Sequence, residues 1–299
     1  MDKKGEIDNL SKIVKPDVSI ITNVSYAHAK NFKSLKQIAL AKSEIIGNTK
    51  DNGTVVLNAD DRFFPLHTKI ASKKNLKILS FGMKNKNSNI KLVSVKKIKK
   101  KFKINVKIND KKVYFMISNN FENNILNILA AITTISIFFN ISKISKNLFT
   151  NFKTPSGRGD ISQIKVNNKI LNLIDESYNS NPLSLKSAIQ NFNKLNIKNS
   201  KKYLLLGDML ELGKYSLKLH ESISLIINRT KIDKVFVKGR DILSMFNFIS
   251  KSKRGRILKN NSEIIELIQN HFNNNDYLMI KASNATGFNK IVNTIKGLK

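Results

Sequence analysis

Cysteine and tryptophan are both missing from the 299 residues. The lack of cysteine excludes disulfides, thiolate zinc sites and thiol catalysis together. No apolar run is long enough to span a bilayer. The longest, ILNILAAITTISIFF from Ile125 to Phe139, contains Asn127 and reads as a buried helix. No charged, apolar and small-residue series opens the chain as a signal peptide would, so a cytoplasmic location is expected. Carboxylates are few: 21 Asp and Glu face 53 Lys and Arg, a formal net charge of +32.

Such a balance raises a polyanion partner, since clustered cations gain affinity by releasing counterions from phosphates. Its distribution argues otherwise. The excess is Lys rather than Arg, it is dispersed, and no basic block is interleaved with aromatics as a stacking platform would be. A coding sequence rich in A and T, favouring Lys, Asn and Ile together, accounts for it. The densest run, VKKIKKKFKINVKINDKKV, alternates apolar and basic residues like a strand pair with one solvated face, turning at Asn109-Asp110. No specific nucleic-acid function is expected.

The 41% hydrophobic content and the length allow two domains, each with its own core. DVSIITNVS, GTVVLNADD and LKILSFG read as strands, and SLKQIALAKSEII has apolar residues at helical spacing. The apolar helix around Ala130 and a second helix ending near Phe152 follow the basic hairpin. Pro155, Ser156 and Gly157 break the pattern, giving domains over 1–154 and 155–299. In the second, KILNLIDES, KYLLLGDM, KVFVKG and DYLMIKAS alternate with helical stretches, the pattern of βαβ units in a mostly parallel, Rossmann-like α/β sheet. Ligands gather at the carboxyl ends of such strands, where Asp175, Asp208, Gly239 and Lys281 fall.

Six segments carry the chemistry. NVSYAHAKNFKSLKQIALAKSEI places His28 after a strand and Lys42 on the following helix. FENNILNILAA holds Asn124 and Asn127 at the start of the apolar helix, and TPSGRGD holds Arg158. DESYNSNP sets Asp175, Tyr178, Asn179 and Asn181 at a strand-to-helix junction, where Pro182 suits a first helical turn. GDMLELG, with His220 and Glu221 after it, and IKASNATG, with Lys281 and Ser283, complete the set. Each has a plain structural alternative. A lone His after a strand is usually structural, an Asn before a helix is commonly its N-cap, and a Gly-rich linker commonly has a solvated Arg.

Together they resemble the ATP-dependent Mur ligases, which build the peptide of the bacterial cell wall, over roughly Gly5 to Lys299. DESYNSNP and GDMLELG are closest to the branch that joins D-alanyl-D-alanine to a UDP-N-acetylmuramoyl-tripeptide. The resemblance implies a partial central ATPase domain followed by a Rossmann-like ligase domain, and two-step acyl transfer through an acyl phosphate. By the same resemblance His28 binds magnesium (Mg2+), and Lys42, as a carbamate, helps hold it. Hard magnesium prefers such oxygen ligands to an ammonium. Asn124, Asn127, Arg158 and Asp175 are implied in ATP binding, Asp175 at the ribose and Arg158 at the phosphates, where a guanidinium fork is apt. Tyr178, Asn179, Asn181, Asp208, Lys281 and Ser283 are implied in substrate binding. A monomer without a membrane span is expected.

Departures from the family pattern are specific. Phe121 and Asn123 replace a Gly and a His before the apolar helix, and Ala282 replaces a Gly. No Gly-x-x-x-x-Gly-Lys-Ser/Thr phosphate loop occurs; neither Gly47 to Thr54 nor Gly157 to Asp160 fits it. The sequence therefore reads as an N-terminally truncated member. A catalytically inactive fragment remains an alternative, as does another amide ligase of folylpolyglutamate or cyanophycin type. The DESYNSNP and GDMLELG pair argues against the latter.

Overall fold

Alternating apolar and amphipathic stretches resolve into two six-stranded sheets in the computed structural model, which describes residues 1–27, 29–152, 155–197 and 199–297. One sheet lies in each of two units, Met1–Phe152 and Lys153–Lys299. Two mostly parallel sheets flanked by helices make this an α/β protein, as the alternation implies.

The first unit runs α1 (Glu6–Val14), β1 (Val18–Ile21), α2 (Leu35–Gly47), β2 (Thr54–Asn58), α3 (Phe64–Lys73), β3 (Lys77–Gly82), β4 (Ile90–Ile98), β5 (Lys101–Ile108), β6 (Lys111–Ile117) and α4 (Glu122–Phe138). Strand order follows chain order; β1 to β4 pair in parallel, and β4, β5 and β6 pair antiparallel. All five residues of β2 are buried, as expected of a parallel strand covered on both faces. Val55 and Leu57 pack with Ile46 of α2 and Ala71 of α3, while Val56 packs with Phe81 and with Ile125 and Leu129 of α4. Burying each such side chain contributes about 1.5–3 kcal/mol.

One expectation is exceeded in this unit and another fails. The basic run contains the expected strand pair, β5 and β6 turning at Asn109-Asp110, and the end of β4 joins it to make a three-stranded meander. The turn at Asn109-Asp110 is present, with Asn109 at φ 50°, but Lys99 at φ 54° opens a second tight turn. Such turns normally announce themselves by Asn or Gly, and Lys99-Lys100 does not. On the face away from α4, Lys91, Lys107 and Lys112 stand abreast, as do Lys96 and Lys103. The second helix expected to end near Phe152 is a short 3-10 turn, Ile141–Lys143, capped by Asn140. Its continuation returns along β6, where the Met116 amide donates to the Lys146 carbonyl at 2.8 Å, so that carbonyl serves the sheet edge and the segment closes only isolated turns. Among the described residues no helix is long and apolar enough to cross a membrane.

The second unit runs β7 (Asp160–Val166), β8 (Lys169–Glu176), α5 (Pro182–Lys194), β9 (Lys202–Gly207), α6 (Ser216–Asn228), β10 (Lys234–Lys238), α7 (Ile242–Asn247), β11 (Arg254–Ile257), α8 (Asn261–Asn270), β12 (Tyr277–Lys281) and α9 (Phe288–Lys296). The order is β11-β10-β9-β12-β8-β7, parallel except for β7 against β8. Leu173, Leu205 and Leu278 join Ile264 and Leu267 of α8 and Phe288 and Ile291 of α9 in one core. Leu204, Leu206, Val235 and Val237, pointing the other way, are equally buried.

Sequence patterning finds four of these six strands. It misses β7, which folds back through Asn167-Asn168, both at positive φ (47° and 62°), a hairpin turn without glycine. It also misses β11, a four-residue edge strand reading RGRI. What matters for function is the middle of the order: β9, β12 and β8 are neighbours, so their carboxyl ends stand side by side.

Candidate functional site

Lys281 ends β12 opposite Glu176 of β8 and Leu206 of β9. Just beyond, the three exits are tied together. The Ser283 amide donates to the Asp208 carbonyl at 3.0 Å. The Ser283 hydroxyl donates to the Ser180 carbonyl at 3.1 Å and accepts the Leu210 amide at 2.8 Å. The Lys281 ammonium lies 3.1 Å from Glu176 Oε2 and donates to the Asn179 carbonyl at 2.9 Å. It is only 2% exposed. Burial depresses its pKa, opposed by the charge and hydrogen bond of Glu176, while the charge of Arg158 lowers it further. Segments about a hundred positions apart in sequence thus converge on Asn179, Ser180 and Ser283.

The DESYNSNP turn divides into local and outward-facing parts. Asn181 is the N-cap of α5: its side-chain oxygen accepts the Ser184 amide at 2.9 Å, and Ser184 Oγ accepts the Asn181 amide at 3.0 Å. That capping box, with Pro182 at the first turn, explains the Ser-Asn-Pro portion without any ligand. Asn179 likewise turns its side-chain oxygen back to the Ser180 amide at 2.7 Å. Tyr178 is different. Its ring is half exposed, and the exposed Arg158 guanidinium stacks on it at 4.3 Å. The stack depends on Gly157 at φ 77°, where an added Cβ would meet the Tyr178 backbone at 2.9 Å. Asp175 is 2% exposed, with both oxygens engaged. Oδ1 accepts from the Ser177 amide and hydroxyl at 3.1 and 2.6 Å, and Oδ2 lies 2.9 Å from Lys296 Nζ. A ribose can reach this carboxylate only if one of those partners yields.

Asp208 meets a structural demand rather than an open cleft. Its Oδ2 accepts the Arg240 amide at 3.0 Å and its Oδ1 the Ile242 amide at 2.8 Å. Gly239, at φ 152°, clears the space: a Cβ there would fall 2.4 Å from Asp208 Oδ1. The acid at a strand end does have partners, as burial requires. They are the amides entering α7, one on each carboxylate oxygen.

His220, fully buried, is a brace. Its Nε2 accepts the Met209 amide at 2.9 Å, so Nδ1 carries the proton and donates to the Ser216 carbonyl at 2.8 Å. Burial holds its pKa below the usual histidine value, outweighing the opposing Ser216 carbonyl and the charges of Asp208 and Asp241. A pKa lower in the folded than in the unfolded chain gives stability that is complete above about pH 6.5 and declines as pH falls towards the folded value. Urea midpoints of the second unit should therefore drop on acidification below that point, and His220→Gln should flatten the slope. Equal slopes in the two proteins would contradict this assignment.

In the first unit Lys42 is half buried on α2 and donates to the Asn23 carbonyl at 2.9 Å. Burial lowers its pKa, with the charge of Asp61 opposing. Burial thus favours the neutral amine, the form that reacts with carbon dioxide. Asp61, just past β2, was not singled out from sequence, although an acid at a parallel strand's carboxyl end was the available signal. It accepts the Val24 amide at 2.7 Å and the Phe63 amide at 2.8 Å, and its charge also reaches the buried His67. His28 lies outside the described residues. Among the described residues no group of three or more His, Asp or Glu could hold a metal ion. Magnesium, which usually takes one or two protein carboxylates plus phosphate oxygens, needs no such cage.

On α4 the expected N-cap role of Asn123 or Asn124 is not realised, because Phe121 stands at that position without a side-chain cap. Asn124 donates to Asn119 Oδ1 at 2.8 Å, and Asn127 is exposed rather than enclosed in the apolar run. Ala282 also finds its explanation. A Cβ on Gly207 would fall 2.7 Å from the Ala282 methyl and from the Phe288 ring, so the glycine of β9 makes room for both.

Comparison with known proteins accords with this arrangement. The family description "Mur ligase middle domain" matches residues 1–135, and "Mur ligase, glutamate ligase domain" matches residues 162–284. The UDP-N-acetylmuramoyl-tripeptide–D-alanyl-D-alanine ligase of Rickettsia prowazekii is 31% identical over 299 residues, covering 98% of this chain and 64% of the relative. The ligase of the same name from Buchnera aphidicola is 35% identical over 280 residues, covering 86% of this chain and 57% of the relative. The chain thus spans less than two thirds of the length of either. In fold it is similar to MurF from Acinetobacter baumannii (TM-score 0.84, 23% identity, 99% of this chain and 63% of that one). It is similar also to MurF ligase from Thermotoga maritima in complex with ADP (TM-score 0.83, 22% identity, 99% and 65%). With one half of the chain matched by the middle domain and the other by the glutamate ligase domain, this protein belongs to the Mur ligase family.

Proposed function

We propose that this chain supplies the central and C-terminal parts of an ATP-dependent ligase that joins D-alanyl-D-alanine to UDP-N-acetylmuramoyl-tripeptide through an acyl phosphate, in the cytoplasm. One observation carries the reading. Hydrogen bonds gather the ends of β8, β9 and β12 around Asn179, Ser180, Leu210 and Ser283, and those are the segments with the branch-specific motifs. The names of the curated relatives support the same reaction.

In this reading Tyr178, Lys281 and Ser283 shape the wall for the incoming amine. The Lys281 ammonium fixes the Asn179 carbonyl and the turn beyond it. Arg158, held on Tyr178, presents its fork to nucleotide phosphates. Lys42, as a carbamate, and His28 would hold magnesium, which when bound offsets charge on the transferring phosphoryl group. Holding groups in place is most of what the protein supplies in such a reaction.

The test is a titration of the 299-residue protein with D-alanyl-D-alanine, followed by amide NMR. Shifts concentrated at Asn179 to Asn181 and at Lys281 to Asn284, and absent with L-alanyl-L-alanine, are the expected result. No shifts, or equal shifts with both dipeptides, would sink the assignment. The same polypeptide contains no phosphate-loop sequence, so on its own it should release no phosphate from ATP with both substrates present. A colorimetric phosphate assay checks this, and turnover above the buffer control would refute it.

A further inference from the structure

Near the C-terminus, in α9, stands a lysine that no motif singled out. Lys296 Nζ lies 2.9 Å from Asp175 Oδ2 and 3.2 Å from Asp160 Oδ2. Both acceptors lead to the same place. Asp160 Oδ1 accepts the Gly157 amide at 2.8 Å, and the Gly159 amide donates to the Asp175 carbonyl at 2.7 Å. Between those two glycines, both at positive φ (77° and 96°), sits Arg158. The Tyr178 amide closes the loop by donating to the Gly157 carbonyl at 3.0 Å.

We infer that Lys296 is a positioning residue, a clamp by which α9 holds the Gly157-Arg158-Gly159 turn and the Asp175 carboxylate in one fixed arrangement. Two acids converge on one cation, so removing it leaves Asp175 buried beside Asp160 with no counter-charge. Like charges that close repel, and the least constrained of the two, Asp160, is the one bonded to the turn. Glycines with positive φ have no side-chain packing to hold them, so the turn depends on these polar ties. Lys296 itself is partly exposed, and burial works against its charge. The hydrogen bond and charge of Asp175, then those of Asp160, outweigh that and hold its pKa above the ordinary lysine value.

The inference rests on the reading of Arg158 as a phosphate ligand only for its consequence, not for its geometry. The experiment therefore separates the two. Amide hydrogen exchange is measured in the 299-residue protein, with Leu205 and Phe236 in the core strands as internal controls. Lys296→Met should speed exchange at Gly157 and Gly159 by about tenfold or more, while the control amides change by less than about threefold. Asp160→Ala, which removes the acceptor of the Gly157 amide, should reproduce the effect at Gly157 and spare Gly159, and Lys296→Arg should restore both. Unchanged exchange at Gly157 and Gly159 in Lys296→Met would overturn the clamp. So would a uniform rise across turn and core, which would mean only lost stability. ADP titration of the same variants forms the second arm. If the wild type binds ADP, Lys296→Met should weaken it severalfold. If no variant or wild type binds ADP, the nucleotide reading fails while the exchange result still decides the clamp.

Discussion

Replacing Lys281 with alanine should cost the second unit about 3–5 kcal/mol, the usual penalty for breaking a buried ion pair by removing one partner. The ammonium is 2% exposed and satisfies both Glu176 Oε2 and the Asn179 carbonyl. Alanine leaves Glu176, less exposed than a surface acid, without the ammonium that pairs with it at the end of β8, and a void of three methylenes at the end of β12. Lys281→Met keeps the stem volume and restores part of the loss. Urea denaturation followed by far-ultraviolet circular dichroism measures both. A cost below about 1 kcal/mol for the alanine variant would show the pair to be worth no more than a surface salt bridge. The site should suffer beyond stability, because the Asn179 carbonyl anchors the turn presenting Tyr178.

Gly207→Ala should destabilise by about 1–3 kcal/mol, the range for overpacking a filled core. The new methyl would lie 2.7 Å from the Ala282 methyl and from the Phe288 ring, both fully buried. Ala282→Gly removes one of those obstructions and should recover part of the cost. The pair is in contact, so their effects should be non-additive by about 0.5 kcal/mol or more in a double-mutant cycle. Simple additivity would mean that the sheet relaxes around the extra methyl and that the two positions are not coupled.

The central parallel strands of both units, such as β2, β9 and β12, were legible because each is a short, continuous apolar run, the mark of a strand buried on both faces. What escaped were elements whose signal is polar or two-sided. The turn at Lys99-Lys100 lacks Asn and Gly, β7 is exposed on alternate residues, and β11 is four residues of edge. The candidate site was legible in its composition but not in its bonding. Asp175, Asp208 and Asn181 were correctly read as polar groups at strand exits. Sequence could not say that Asp208 serves the β10–α7 loop, or that Lys296, 121 residues on, sits against Asp175. Such pairings depend on which strands become neighbours, and the order β9-β12-β8 has no local signature.

The rows of lysine across β4, β5 and β6 have a consequence of another kind. Like charges directly opposite one another weaken a sheet, and in the row Lys91, Lys107 and Lys112 it is Lys107 that meets a carboxylate, that of Asp110 at 3.0 Å. Mobile anions drawn to the meander should therefore offset a repulsion that opposite lysines create across its strands. At physiological ionic strength the screening length is about 8 Å, close to the reach across two strands. Ordinary salt is thus enough to quiet the repulsion, and dilute buffer is the medium in which this half of the protein should be least at ease.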